Sequence, residues 1–337
     1  VTVPSFTNRW TGGQYSFFRA VLGTTVSVQF VRGTPFGVGG VSNFLLLGEA
    51  PALVTPLCWL GAAAGLCLAS GLRDRKAAFV LLVIWTFSAS PFARTPLILD
   101  SGPALIAGLL LLHVALPSRP FLSWDARKRL DPDSGWRMPD SVYLASWALL
   151  VLGYSWAGAV QWLNPQPFDA LNLSAGFVLL HLLTFNPGWI ASRPADGHSL
   201  VFYDGSCGLC HRTVRFLLAE DAAGIQFRFA LLESELFRSL CAAQGSGIKS
   251  EEAIPDSVAV HRPEQALLFR AEGVLALGHQ LGGLWRLLAI GVGWLPIVLL
   301  NIGYDFIARI RHRLFARPEN ACPILPPHLR DRFSPSP

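Results

Sequence analysis

Cys207 and Cys210 are the residues of this chain whose types and spacing suit chemistry best. They fall in Ser199-Leu200-Val201-Phe202-Tyr203-Asp204-Gly205-Ser206-Cys207-Gly208-Leu209-Cys210-His211. This stretch begins apolar and aromatic, turns at Asp204-Gly205, and runs into the apolar periodicity Val214, Phe216, Leu217, Leu218, so it predicts strand, turn and helix. Both thiols then stand at a helix start. A Cys in the first turn meets unsatisfied N–H groups and the positive end of the helix dipole, which favour thiolate over thiol. The second Cys, three positions on, shares that face and can close a disulfide with the first. Cys207, nearer the helix start, is the expected attacking thiolate and Cys210 the resolving thiol. For the two polar neighbours the reading stays open. His211 as a cation lowers a thiol pKa, or it is an exposed first-turn residue; Asp204 accepts a proton, or it hydrogen-bonds its own turn.

Two other chemistries compete for the motif. Cys207-x-x-Cys210-His211 is also the pattern for covalent haem c attachment, a reaction of compartments outside the cytoplasm, and the chain's single Met, Met138, stands far away in sequence. A zinc site needs more ligands than one Cys pair supplies, with Cys241, Cys322 and His261 as the available additions. The expected redox group is therefore the Cys207–Cys210 disulfide itself, with no other cofactor or metal.

The elements that must position the dithiol divide the chain in two. The 337 residues suffice for two domains, and an apolar share of 52% exceeds what one soluble core requires. Residues 1–194 carry 13 Lys/Arg against 8 Asp/Glu, and residues 195–337 carry 14 against 14, so the net charge of +5 belongs to the first part. Those charges fall in loops between apolar runs, which indicates membrane topology and argues against nucleic-acid binding. Six cysteines with one close pair suit a reducing compartment rather than a secreted disulfide scaffold. The opening residues do not show the charged, apolar, small-residue pattern of a signal sequence, so no cleaved leader is expected.

Six apolar runs, near 17–31, 51–70, 77–92, 102–116, 142–162 and 171–190, predict a polytopic all-α membrane domain over 1–191. If all six cross, eleven basic residues (Arg9, Arg19, Arg73, Arg75, Lys76, Arg119, Arg127, Lys128, Arg129, Arg137 and Arg193) fall on one side and only Arg32 and Arg94 on the other. The positive-inside rule then places both ends in the cytoplasm. Trp85, Trp147, Trp156 and Trp162 read as interface anchors or packing residues. His113 and His181 are ionisable groups in apolar runs, without a carboxylate there to pair with either. Cys58 and Cys67, too far apart on one helix to bridge, are expected to pack as small apolar groups. Residues 131–139 read as a turn-rich cytoplasmic loop.

After a polar linker at 192–198, a compact α/β domain is expected over 199–332. Strands are predicted at 225–229, 257–261 and 265–269, and helices at 232–242 and 272–288. The resulting order, βαβαββα with C-x-x-C after the first strand, is that of a thioredoxin-like sheet. Such a site often has a cis-proline facing the dithiol; Pro255 is the candidate, the alternative being a trans proline at a strand start. Residues 287–300 form an apolar stretch broken by Gly and Pro, too short for a confident span. A helix over 302–315 carries Ile302, Phe306, Ile310 and Leu314 on one face and arginines elsewhere, which predicts a hydrophobic hairpin and basic amphipathic helix against the inner leaflet or the membrane domain, or else a helix pair covering the sheet.

Tyr203-Asp204-Gly205-x-Cys207-x-Leu209-Cys210 and the helix after it resemble the DCC family of predicted thiol-disulfide oxidoreductases. The likeness extends through Asp256-Ser257-Val258, the Leu281–Leu288 stretch, Tyr304-Asp305-Phe306-x-Ala308-Arg309 and Cys322-Pro323, covering about 200–332. More weakly, Trp10–Ser16, Gly153-Tyr154-Ser155-x-x-Gly158 and Leu180–Phe185 are similar to HTTM and DoxX-like membrane domains. The resemblance implies a bacterial inner-membrane protein, with a lipid bilayer and a thiol or disulfide substrate, protein or small molecule, as its partners.

Overall fold

The computed structural model describes residues 8–32, 51–88, 101–132, 135–163, 175–192, 197–243, 258–263, 265–315 and 325–334. The chain forms two compact units, one of Val1–Lys128 with Trp136–Asn186, the other of Arg129–Gly135 with Pro187–Pro337.

The first unit is helical. On the six apolar runs stand α1 (Gly12–Arg32), α2 (Pro51–Ser70), α3 (Asp74–Ser88), α4 (Ser101–Ala115), α5 (Asp140–Leu163) and α6 (Ala175–Thr184). Tyr15, Phe18, Leu22, Val26 and Phe30 recur at helical spacing along α1 and carry its buried face. Small residues set the approach of α1 to α2: a Cβ on Gly23 would lie 2.6 Å from the Gly65 carbonyl oxygen. Among the described residues only α5 is by itself long and apolar enough to cross a membrane; the described part of α2, that of α4, and α6 are apolar but shorter.

A buried polar cluster joins α1, α3 and α4. Arg19 reaches Asp74 Oδ2 at 3.4 Å, and His113 Nε2 stands 3.9 Å from the same oxygen. The Tyr15 hydroxyl and His113 Nδ1 share a hydrogen bond of 2.5 Å. The expectation that His113 has no carboxylate near it is thus corrected. Asp74 belongs to a charged loop in sequence, but as the first residue of α3 it turns inward beside the end of α4. His181 is held by the Phe177 carbonyl of its own helix at 2.7 Å and by the Tyr154 hydroxyl of α5 at 3.2 Å.

The second unit is a mixed four-stranded sheet with helices. Its elements follow the expected order: β1 (Ser199–Tyr203), α7 (Gly208–Glu220), β2 (Phe227–Leu231), α8 (Glu235–Ala243), β3 (Ala259–His261), β4 (Leu268–Phe269) and α9 (Arg270–Leu281). Then come α10 (Gly283–Val292), α11 (Ile297–Leu314) and α12 (Pro327–Arg330). The strand order is β2-β1-β3-β4, with β1 and β2 parallel and the other pairs antiparallel. Strand alternation separates two cores. Val201, Tyr203, Phe227, Phe229 and Val260 pack with Cys207, Cys210 and Val214, whereas Phe202, Ala230 and Ala259 pack with Phe237 and Cys241.

Several boundaries differ from the sequence expectation for local reasons. β2 starts at Phe227, not 225: its ladder with β1 begins at the Ser199–Phe227 pair, and the N–H groups of Ile225, Gln226 and Phe227 all donate to the Asp221 carboxylate. α8 starts after Ser234, whose hydroxyl accepts the Phe237 N–H at 3.3 Å as an N-cap does. The single helix expected over 272–288 is two, broken at Gly282 and Gly283 with φ of +78° and +53°. The loop read at 131–139 is divided: residues 129–135 belong to the second unit, where Arg215 Nη1 donates to the Leu130 carbonyl at 3.2 Å. Pro255, Cys322 and residues 193–196 of the expected linker lie outside the described residues.

Candidate functional site

Cys207 is the N-cap of α7, with extended φ and ψ of −102° and 116°. Its Sγ accepts the Cys210 backbone N–H at 3.5 Å, an end-of-helix donor that would otherwise have no partner within the helix. The turn before it is held by Asp204, whose Oδ1 accepts from the Ser206 backbone N–H and hydroxyl, both at 2.7 Å. Both cysteines are free thiols and both are buried, Cys207 being 1% exposed.

Arg311 completes the site from α11. Its side chain is 2% exposed, its Nη2 lies 3.3 Å from Asp204 Oδ2, and its Nη1 lies 4.0 Å from Cys210 Sγ. A buried guanidinium thus stands between a carboxylate and the dithiol. The Cys207 thiol is lowered to about 6, chiefly by the hydrogen bond from the Cys210 thiol, then by the Cys210 N–H and by the Arg311 charge, against the opposing effect of burial. Cys210 moves the other way, because its proton is held in that bond, because it is buried, and because the Cys207 charge is adjacent. One sulfur is set up to be ionised and the other to keep its proton.

Of the residues singled out in the sequence, Cys207, Cys210 and Asp204 come together here. Asp204 bonds its own turn and also holds Arg311. His211 is buried rather than exposed; its Nε2 donates to the Gly205 carbonyl at 3.0 Å, and its ring stands edge-on to Tyr203. Pro255 lies outside the described residues, so whether it faces the dithiol is not part of this geometry. Cys241 belongs to the core on the opposite face of the sheet, and among the described residues no three His, Cys, Asp or Glu side chains gather as metal ligands.

Sequence reasoning missed Arg311. A signal exists: Tyr304 stands seven positions earlier, two helical turns, and so on the same face. The Tyr304 hydroxyl accepts the Val258 N–H at 3.1 Å, which turns that face of α11 toward the sheet and carries Arg311 inward.

No solved structure matches the chain. The uncharacterized protein YuxK of Bacillus subtilis (strain 168) is 29% identical over 136 residues, which is 40% of this chain and 93% of that protein. Residues 201–317, a segment that holds Asp204, Cys207, Cys210 and Arg311, match the family model of the DCC1-like thiol-disulfide oxidoreductases, and in that segment the chain is similar to this redox family.

Proposed function

We propose that this chain is a membrane-anchored thiol-disulfide oxidoreductase in which Cys207 attacks and Cys210 resolves, on a thioredoxin-like sheet. The observation that carries the reading is the geometry at the start of α7: the Cys207 sulfur caps the helix by accepting the Cys210 N–H at 3.5 Å, and the buried Arg311 stands 4.0 Å from the Cys210 sulfur, an arrangement that lowers the Cys207 thiol and raises that of Cys210. In the forward direction the Cys207 thiolate attacks one sulfur of a substrate disulfide, and that bond breaks to release the first substrate thiolate. Cys210 then gives up its proton and attacks the Cys207 sulfur, displacing the second. The protein dithiol is oxidised by two electrons and the substrate disulfide is reduced to two thiols. Asp204 and Arg311 hold the turn and the charge balance while this happens.

The membrane part of the proposal rests on the six helices, the apolar character of α2, α4, α5 and α6, and the one-sided loop charges. With the HTTM- and DoxX-like stretches, these favour a polytopic domain in a bacterial inner membrane and a cytoplasmic redox domain.

Glutathione disulfide tests the chemistry directly. On the full chain, Cys210→Ser is expected to accumulate a mixed disulfide at Cys207, mapped by peptide mass, and Cys207→Ser none at Cys210. Equal glutathione loading of both variants, or of neither, contradicts the assignment.

A further inference from the structure

From Ile290 to Leu299 ten consecutive residues of the second unit are exposed, and all are uncharged. Trp294 is 87% and Val298 68% exposed. A helix that packs on a protein partner presents one apolar stripe and keeps its other face polar. This segment, the end of α10, the connection and the start of α11, is apolar and exposed at every position, which suits a surrounding solvent of lipid chains rather than one partner face. Farther along α11 the faces do separate. Asn301 accepts the Ala271 N–H, Tyr304 accepts the Val258 N–H, and Asp305 pairs with Arg270 at 3.6 Å, all toward the unit's own body. Val298, Ile302 and Phe306, spaced four apart, are left exposed.

Outside the uncharged stretch the first charge, Asp305, is paired with Arg270, and the flanking charges beyond that pair are basic. No ionisable acid or base other than Tyr304 occurs from Leu287 to Tyr304; Arg286 precedes the stretch, and Arg309 and Arg313 follow it. Basic residues flanking an apolar segment match the anionic headgroups of a leaflet. Length and shape decide how far it enters. α10 has 10 residues, a rise of about 15 Å, half of a hydrocarbon core of about 30 Å. The two helices bend by 113° at the break between Val292 and Ile297, which returns the chain to the side it came from.

We infer that the α10–α11 hairpin is a monotopic insertion element of the redox unit: its tip at Trp294 enters the acyl region of an anionic leaflet, and Arg286, Arg309 and Arg313 meet the headgroups. Because α11 also supplies Arg311, insertion holds the dithiol close to the lipid surface.

The test uses the full chain in vesicles of phosphatidylcholine and phosphatidylglycerol, with an environment-sensitive fluorescent amino acid at Val298 and, as a control, at Ile225, which is exposed elsewhere on the same unit. The expected result is blue-shifted emission at 298 that loses most of its intensity with chain-brominated lipid and little with aqueous iodide, and the reverse at 225. Emission at 298 quenched by iodide overturns the inference, since the hairpin is then in water. Shielding from both quenchers overturns it as well, since the hairpin then docks on protein, a second copy or another part of this chain. The measurement needs no thiol chemistry, so its failure leaves the dithiol assignment standing, and the reverse also holds.

Discussion

At Cys207 the ionisation midpoint is the property that the neighbouring groups control, and two substitutions should move it in opposite directions. Arg311→Met keeps bulk and removes the charge, and is expected to raise the midpoint from about 6 by about one pH unit or more. Asp204→Asn retains a hydrogen-bonding side chain for Ser206 but frees Arg311 to act on the sulfurs, and should lower it. Thiolate absorbance against pH, read as the difference from Cys207→Ser, checks both. With a midpoint near 6, roughly nine-tenths of Cys207 is ionised at pH 7, against a few per cent for a thiol at ~8.5. The linked stability has a definite sign. A folded-state pKa below the unfolded one adds stability to the reduced protein that is complete above the unfolded thiol's ~8.5 and is lost as pH falls through about 6. The same preference for the thiolate favours the reduced form, so Arg311→Met should also make the couple more reducing in a glutathione titration.

Among the elements, the break between α9 and α10 should be sensitive to a single methyl group. Gly282 has a φ of +78°, and a Cβ there would lie 2.7 Å from the Ser192 backbone nitrogen. Gly282→Ala is therefore expected to destabilise the second unit by about 1–3 kcal/mol, measured as a shift in its denaturant midpoint. Asp221, the C-cap of α7, accepts from the N–H groups of Ile225, Gln226 and Phe227 at the entry to β2 and forms a buried pair with Arg332 at 2.5 Å. Its replacement by Ala leaves a buried guanidinium without that carboxylate and should cost about 3–5 kcal/mol in the same assay. These two places also mark what was legible in the sequence. β1, the turn and α7 could be read because alternation, Asp204-Gly205 and helical periodicity all agree there. The break at Gly282-Gly283 was hidden because apolar periodicity continues on both sides of it. The start of β2 was hidden because Ile225 and Gln226 look like strand residues, while the ladder begins only where β1 begins, at the Ser199–Phe227 pair. Arg311 was hidden because an arginine on a basic amphipathic helix reads as solvated unless Tyr304 is known to face inward.

At the scale of the whole chain, a helical unit and a mixed-sheet unit are joined in one protein, and the six apolar runs marked the helices of the first more clearly than they marked its polar cluster. Asp74 sits in a basic loop by sequence, so nothing local announced that it meets Arg19 and His113. Asp74→Ala should loosen the helical unit by about 3–5 kcal/mol, since the Arg19 charge stays buried, and leave the thiolate midpoint of Cys207 unchanged. Thermal unfolding followed separately by helical signal and by Cys207 absorbance checks that separation. Membrane anchoring predicts that the full chain remains with the membrane fraction after high-salt and alkaline washing. The most direct test of the account is the redox equilibrium of the dithiol itself, measured by alkylating free thiols across a graded series of reduced and oxidised glutathione. The account predicts one two-electron transition between dithiol and Cys207–Cys210 disulfide, absent in Cys207→Ser and in Cys210→Ser. Two thiols that react independently, with no disulfide between them at any ratio, would contradict it.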